Sequence, residues 1–201
     1  MSAERTSNNN LHDPVAVDND DLPPLATRKD HRFQRIAFLL LRLDIGFYFF
    51  WAFIDKVFGF GYHTAPAKAW IRGGSPTKGY LSGINVGPMQ GIYHAIAGQT
   101  WVDWLFMLGL LGIGVALILG IAIRPAVVCG VAQYFLMWLA TWPLATMGGG
   151  QPTGSTNPLL DDHTLGLFGL IVIMSCISWA GGPLGRWWSN LSFVKKHPWM
   201  R

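Results

Sequence analysis

The sequence is poor in charge. Only 13% of its 201 residues are Asp, Glu, Lys or Arg, against about 25% in a soluble domain. It is also poor in cysteine. Cys129 and Cys176 stand alone inside apolar runs, which excludes a zinc-finger spacing, a C-x-x-C redox pair and a disulfide-stapled secreted fold. Haem, iron–sulfur, flavin and metal motifs are missing. The net charge is +4 and no basic module interleaved with aromatics is visible, so nucleic acid is not an expected partner. What the chain has instead is apolar: 51% hydrophobic residues, 24 Gly and 10 Trp. Trp collects at membrane interfaces and Gly is tolerated in packed membrane helices. The composition therefore points to lipid as the first partner.

The apolar residues fall into four runs. A helix rises about 1.5 Å per residue, so ~20 residues cross the hydrocarbon. The predicted spans are about 33–58, 102–122, 124–147 and 157–180. The expected fold is thus all-α, a four-transmembrane-helix bundle occupying 33–182. The first run is too long for the h-region of a secretory signal. Ahead of it, residues 1–32 are expected to be a cytoplasmic tail, disordered over the Asn-, Asp- and Pro-rich stretch 1–27. A loop of residues 59–101 holds short amphipathic pieces, Pro66–Ile71 and Met89–Ala97, expected to lie on the membrane or cap the bundle. The stretch from Gly148 to Ser155 is turn chemistry.

Orientation follows from Lys and Arg. Ten of them lie in the tail, at Arg124 and in the C-terminal segment, against Lys68, Arg72 and Lys78 on the other side. Positive residues stay inside, so both termini are expected in the cytoplasm. Residues 183–201, with Trp187, Trp188, Lys195, Lys196 and Trp199, read as an interfacial anchor. In the second span Gly112, Ala116 and Gly120 recur every four residues, which predicts a close helix contact along that stripe.

Charges inside the spans are the candidate functional residues, because each costs about 2.5–3.5 kcal/mol at the bilayer centre. The first span carries Arg42, Asp44, Asp55 and Lys56. At about 100° per residue Arg42 and Lys56 share one face, and Asp44 and Asp55 the opposite one. One face is expected to look into the bundle, with Gln133 or Tyr134 as partners for Arg42. The fourth span opens with Asn157-Pro158, then Asp161-Asp162-His163. One reading is structural: Pro158 starts the helix and the carboxylates favour its dipole. The other brings these three to the outer end with Asp55 and Lys56, where they would move protons, hold a cation or bind an anion. His63 and His94 in the loop could add to that cluster. No metal site is expected.

The chain resembles the DoxX/DoxD membrane family over about 33–182. The resemblance rests on Leu41-Arg42-Leu43 with Asp55-Lys56, on Gly73 to Leu81, on Val102 to Gly109, and on Asn157-Pro158 with Asp161-Asp162-His163. The family includes the quinone-reducing membrane subunit of thiosulfate:quinone oxidoreductase. It implies a four-helix bundle in a bacterial plasma membrane, quinone as cofactor, and partner subunits or self-association. On that reading Asp161, Asp162 and His163 would be catalytic. Arg42 and Lys56, with Asp55 and Asp44, would hold substrate or quinone. A non-catalytic accessory or scaffold subunit and a small ion or proton transporter are the alternatives.

Overall fold

The computed structural model describes residues 28–179 and 182–200. The chain divides into two units, residues 1–34 and 35–201, and the packing described below is that of the second. The stretch 1–27, expected to be disordered, lies outside the described residues.

In order, the helices are α1 (Arg28–Phe58), α2 (Lys78–Ser82), α3 (Gln90–Ile96), α4 (Thr100–Leu119), α5 (Ile123–Thr141), α6 (Asp162–Ser175), α7 (Pro183–Asn190) and α8 (Ser192–Lys196). Residues 28–32 are helical and continue into the first span. The C-terminal ends are set by local chemistry. Gly120 ends α4 in the left-handed region at φ 72, its N–H bonded to the Ala116 carbonyl, as glycine C-caps do. Pro143 stops α5, since proline has no N–H to donate and constrains the residue before it. Residues 142–147, expected to continue the third span, therefore leave the helix. They lead to a hairpin of β1 (Met147–Gly148) and β2 (Gln151–Pro152). Gly149 and Gly150, both at positive φ, supply the turn such a hairpin requires.

The fourth span also starts later than expected. Pro158 sits in a turn where Asn157 Oδ1 accepts the Leu159 and Leu160 N–H groups at 2.9 and 3.0 Å. The helix begins after Asp161, which forms a capping box with Thr164. Among the described residues three helices are long and apolar enough to cross a membrane: 27 residues within α1, 20 in α4 and 19 in α5. α6 is apolar but has 14 residues, about 21 Å of helix, and a 3-10 turn at Ile177–Trp179 extends it.

Four helices share one core. α1 gives it Phe38, Ile45 and Phe49; α4 gives Met107, Leu110, Ile113 and Leu117; α5 gives Val127 and Tyr134; α6 gives Leu170 and Ile173. Glycines set the closest approaches. A Cβ on Gly114 of α4 would stand 2.7 Å from the Phe50 backbone nitrogen of α1, and one on Gly46 would press on Leu117 at 3.0 Å. Gly109 faces the Gln133 amide across α4 and α5. Gly130 faces Leu170 and Gly166 faces the Tyr134 ring across α5 and α6, and Gly169 meets Ile45 of α1. The contacts close a ring, α1 to α4 to α5 to α6 and back. Gly112, expected in the tight stripe, meets open space. The close face lies two residues on, about 200° round the helix, at Gly114.

The two ends of the bundle differ. At one end α2 and α3 pack through Leu81, Ile84 and Tyr93 onto Val102 of α4 and Ala140 of α5. The Tyr93 hydroxyl donates to the Leu136 carbonyl at 2.8 Å. The hairpin joins them, with Gly148 against Val86 and Gly87 against Trp142. Of the two loop pieces singled out in the sequence, Met89–Ala97 packs here, through Met89, Tyr93 and Ile96. At the other end α7 rests on the turn between α4 and α5, where Gly185 leaves no room for a Cβ beside the Gly120 carbonyl.

Candidate functional site

At the loop-capped end α5 finishes and α6 begins, and Asp161 joins them. Its Oδ1 accepts the Thr164 N–H at 3.0 Å. Its Oδ2 lies 2.8 Å from His163 Nδ1 and 3.2 Å from the Thr141 hydroxyl of α5. A carboxylate can only accept, so the imidazole donates through Nδ1 and leaves Nε2 as its basic nitrogen. Burial pushes the Asp161 carboxyl up, but the hydrogen bonds from His163 and Thr164 outweigh it and hold the pKa below the ordinary 3.8. Asp162 Oδ1 stands 3.5 Å from the same Nδ1, with its side chain exposed. His163 is buried, its ring edge-on to Tyr134 at 6.3 Å between centroids. Tyr134 also meets Phe49 at 4.9 Å and Tyr48 at 6.4 Å. The result is an oriented Asp–His pair in an aromatic wall, with a second carboxylate on the solvent side.

Asp161, Asp162 and His163 lie together at the start of α6, as expected, but Pro158 does not start the helix, and Asp55 and Lys56 do not join them. Asp161 is the helix cap, and it also fixes the imidazole. One ligand atom from each of Asp161, Asp162 and His163 falls within 4.8 Å of the others, but the cap and the imidazole already occupy the Asp161 oxygens.

Asp55 and Lys56 make no ion pair or hydrogen bond with this group among the described residues. Asp55 is 1% exposed. Its two oxygens accept the Tyr62 and His63 N–H groups at 3.4 and 3.0 Å, folding the chain back over the end of α1. Lys56 lies over the Phe106 ring at 5.8 Å. Arg42 is buried at 5% exposure, while Asp44 is exposed, as their opposed positions on the helix require. Asp55 departs from its expected face-mate because the loop covers it. His63 is exposed, and His94 Nε2 meets the Ile84 carbonyl at 2.7 Å inside the cap. Cys129 and Cys176 are free thiols.

One organising residue escaped the candidate set. Asp103, buried in the first turn of α4, accepts from the Ser75 hydroxyl at 2.9 Å, the Thr77 hydroxyl at 2.6 Å and the Thr77 N–H at 3.1 Å, all on Oδ1. Two of the stretches that carry the family resemblance therefore meet here. The signal was present in the sequence: a carboxylate opening an apolar helix, and hydroxyls in a Ser-Pro-Thr turn. Comparison with family models, with curated proteins and with solved structures gives no match.

Proposed function

We propose that the chain crosses a bacterial plasma membrane four times with both termini in the cytoplasm, and serves as a DoxX-like, quinone-linked membrane subunit of an oxidoreductase. The course of α6 supports the fourth crossing. It starts beside Thr141 at the end of α5. It finishes at Ile177 and Ser178, which share a cavity with Ala122 and Arg124 at the start of α5. α6 and its 3-10 extension thus run the length of a helix long enough to span. Leu165, Phe168 and Val172 on α6 are exposed, as are Leu105 and Leu108 on α4 and Val128 and Phe135 on α5. Apolar side chains turned outward on neighbouring helices suit lipid.

The observation that carries the redox reading is the 2.8 Å contact between Asp161 and His163. A quinone takes up protons with its electrons, and this donor set fits that need. His163 Nε2 has no hydrogen-bond partner among the described residues. Asp161 fixes the ring; only when protonated at Nε2 would the imidazolium donate to a quinone oxygen and pass on its proton, with exposed Asp162 beside Nδ1 offsetting its charge. These residues would hold a quinone oxygen and move its protons; the quinone supplies the electron chemistry. The electron donor would be thiosulfate or another small reduced sulfur compound, reached through a partner subunit.

Purified protein with its copurifying partners should reduce a short-chain quinone with thiosulfate. His163→Gln should slow this by about 10²-fold or more, the usual reach of a general acid–base. The absence of both quinone reduction and a quinone-dependent rise in thermal midpoint would contradict the redox reading. An accessory role is favoured by a different observation: Asp55, Asp103 and Asp161 all hold loops or caps in place. A stable complex whose activity survives His163→Gln would support it.

A further inference from the structure

At the end of the bundle opposite the Asp161–His163 pair lies a cavity of about 310 Å³, with Gly120, Ala122, Arg124, Ser178, Trp188 and Ser189 in its wall. That volume is at the lower end of small-ligand pockets, about 300–1,000 Å³. The chain closes it from three sides. Gly120 and Ala122 belong to the α4–α5 turn, and both sit in the left-handed region, at φ 72 and 46. Ser178 comes from the turn after α6. Gly185, Trp188 and Ser189 come from one face of α7, spaced three and four residues apart as a helix face demands.

The donors are placed there and are not exhausted. Arg124 gives one N–H to the Pro198 carbonyl at 3.1 Å. A guanidinium has five, and the others have no partner among the described residues. The Ser178 hydroxyl makes no hydrogen bond among them either. The Trp188 indole donates to the Met200 carbonyl at 2.8 Å, which pins the segment 198–200 beside the cavity. Among the described residues no carboxylate lines the site. An anion is what such a wall would take.

The other side of the same segment identifies the anion. Leu184, Trp187, Phe193 and Trp199 are exposed, Trp187 at 58%, while Arg186, Lys195 and Lys196 are exposed beside them in sequence. Large apolar and aromatic side chains interleaved with cations belong at a headgroup layer. Gly185 is buried against the Gly120 carbonyl, so α7 is held to the bundle on its inner face while its outer face is left for lipid.

We infer that this cavity binds the phosphate of an anionic phospholipid headgroup, with Arg124 and Ser178 as donors and α7 lying in the headgroup layer. The site rests on the reading of the chain as a membrane protein and is independent of any quinone chemistry. The lipid would join the α4–α5 turn, the end of α6 and α7.

The test is a titration of the full-length protein in neutral detergent, read by thermal midpoint. Phosphatidylglycerol should raise the midpoint saturably, and phosphatidylcholine should not. Millimolar inorganic phosphate should not either, because it brings no acyl chains to the apolar face. Arg124→Gln should weaken the apparent phosphatidylglycerol affinity about tenfold, the scale of one charge-assisted hydrogen bond. Ser178→Ala, which removes no packed side chain, should weaken it less but measurably. Lys195→Gln with Lys196→Gln should have a smaller effect than Arg124→Gln. Three results would overturn the inference: wild-type protein indifferent to phosphatidylglycerol, inorganic phosphate matching it, or the lysine pair mattering as much as Arg124. The first would do so even if quinone reduction and the membrane topology stood.

Discussion

At Asp161 one carboxylate serves a helix and an imidazole together. Oδ1 holds the Thr164 N–H and Oδ2 meets His163 and Thr141. The hydrogen bonds keep this carboxyl ionised below the ordinary 3.8 despite its burial. A folded-state pKa lowered in this way contributes stability that is present above the unfolded value and is lost as pH falls through the folded one. The thermal midpoint in detergent should therefore fall between pH 4 and more acid conditions, and the fall should be smaller in Asp161→Asn. Asp161→Ala at neutral pH should cost about 1–2 kcal/mol, the range of a lost N-cap. An unchanged midpoint across the acid range in both proteins would remove Asp161 from the cap. At this scale the sequence was legible where chemistry is local. The grouping of Asp161, Asp162 and His163 could be seen because they adjoin in sequence, although Pro158 and not Asp161 read as the helix start. The partners of Asp55 and Asp103 could not be seen, because they come from loops whose path only tertiary packing decides.

Helix packing here turns on where small residues fall. The four-residue recurrence of Gly112, Ala116 and Gly120 is real, but periodicity does not say which face meets a neighbour. Gly114 and Gly46 make the close crossing of α4 and α1, and Gly112 looks outward into open space. The two glycines should therefore part company. Gly114→Ala forces a methyl onto the α1 backbone and should cost about 1–3 kcal/mol, as overpacking does. Gly112→Ala should be neutral or stabilise by up to about 1 kcal/mol, the difference in helix propensity. Thermal midpoints of the two variants in one detergent check this, and equal losses would contradict the crossing. Helix existence was readable from apolar run length at all four positions. Helix ends were not, because Pro143 and the Asp161 cap shorten the third and fourth runs from inside sequence that stays apolar or turn-like on either side.

For the whole molecule, the loops sort themselves by end. The hairpin, α2 and α3 gather at one end with the start of α4. The α4–α5 turn, the end of α6 and the C-terminal segment gather at the other, joined by the contact of Arg124 with Pro198. Lys and Arg are sparser at the first than at the second, and the proposed orientation rests on that asymmetry. The central claim is that α6 crosses the membrane although it is the shortest of the four core helices. Single cysteines at Ser82, Thr156 and Ser192, with Cys129 and Cys176 replaced by serine, measure this through labelling by a membrane-impermeant maleimide in spheroplasts. The account predicts that Ser82→Cys and Thr156→Cys label in intact spheroplasts, and that Ser192→Cys labels only after lysis. Labelling of Ser192→Cys as readily as Thr156→Cys would leave three crossings and contradict it.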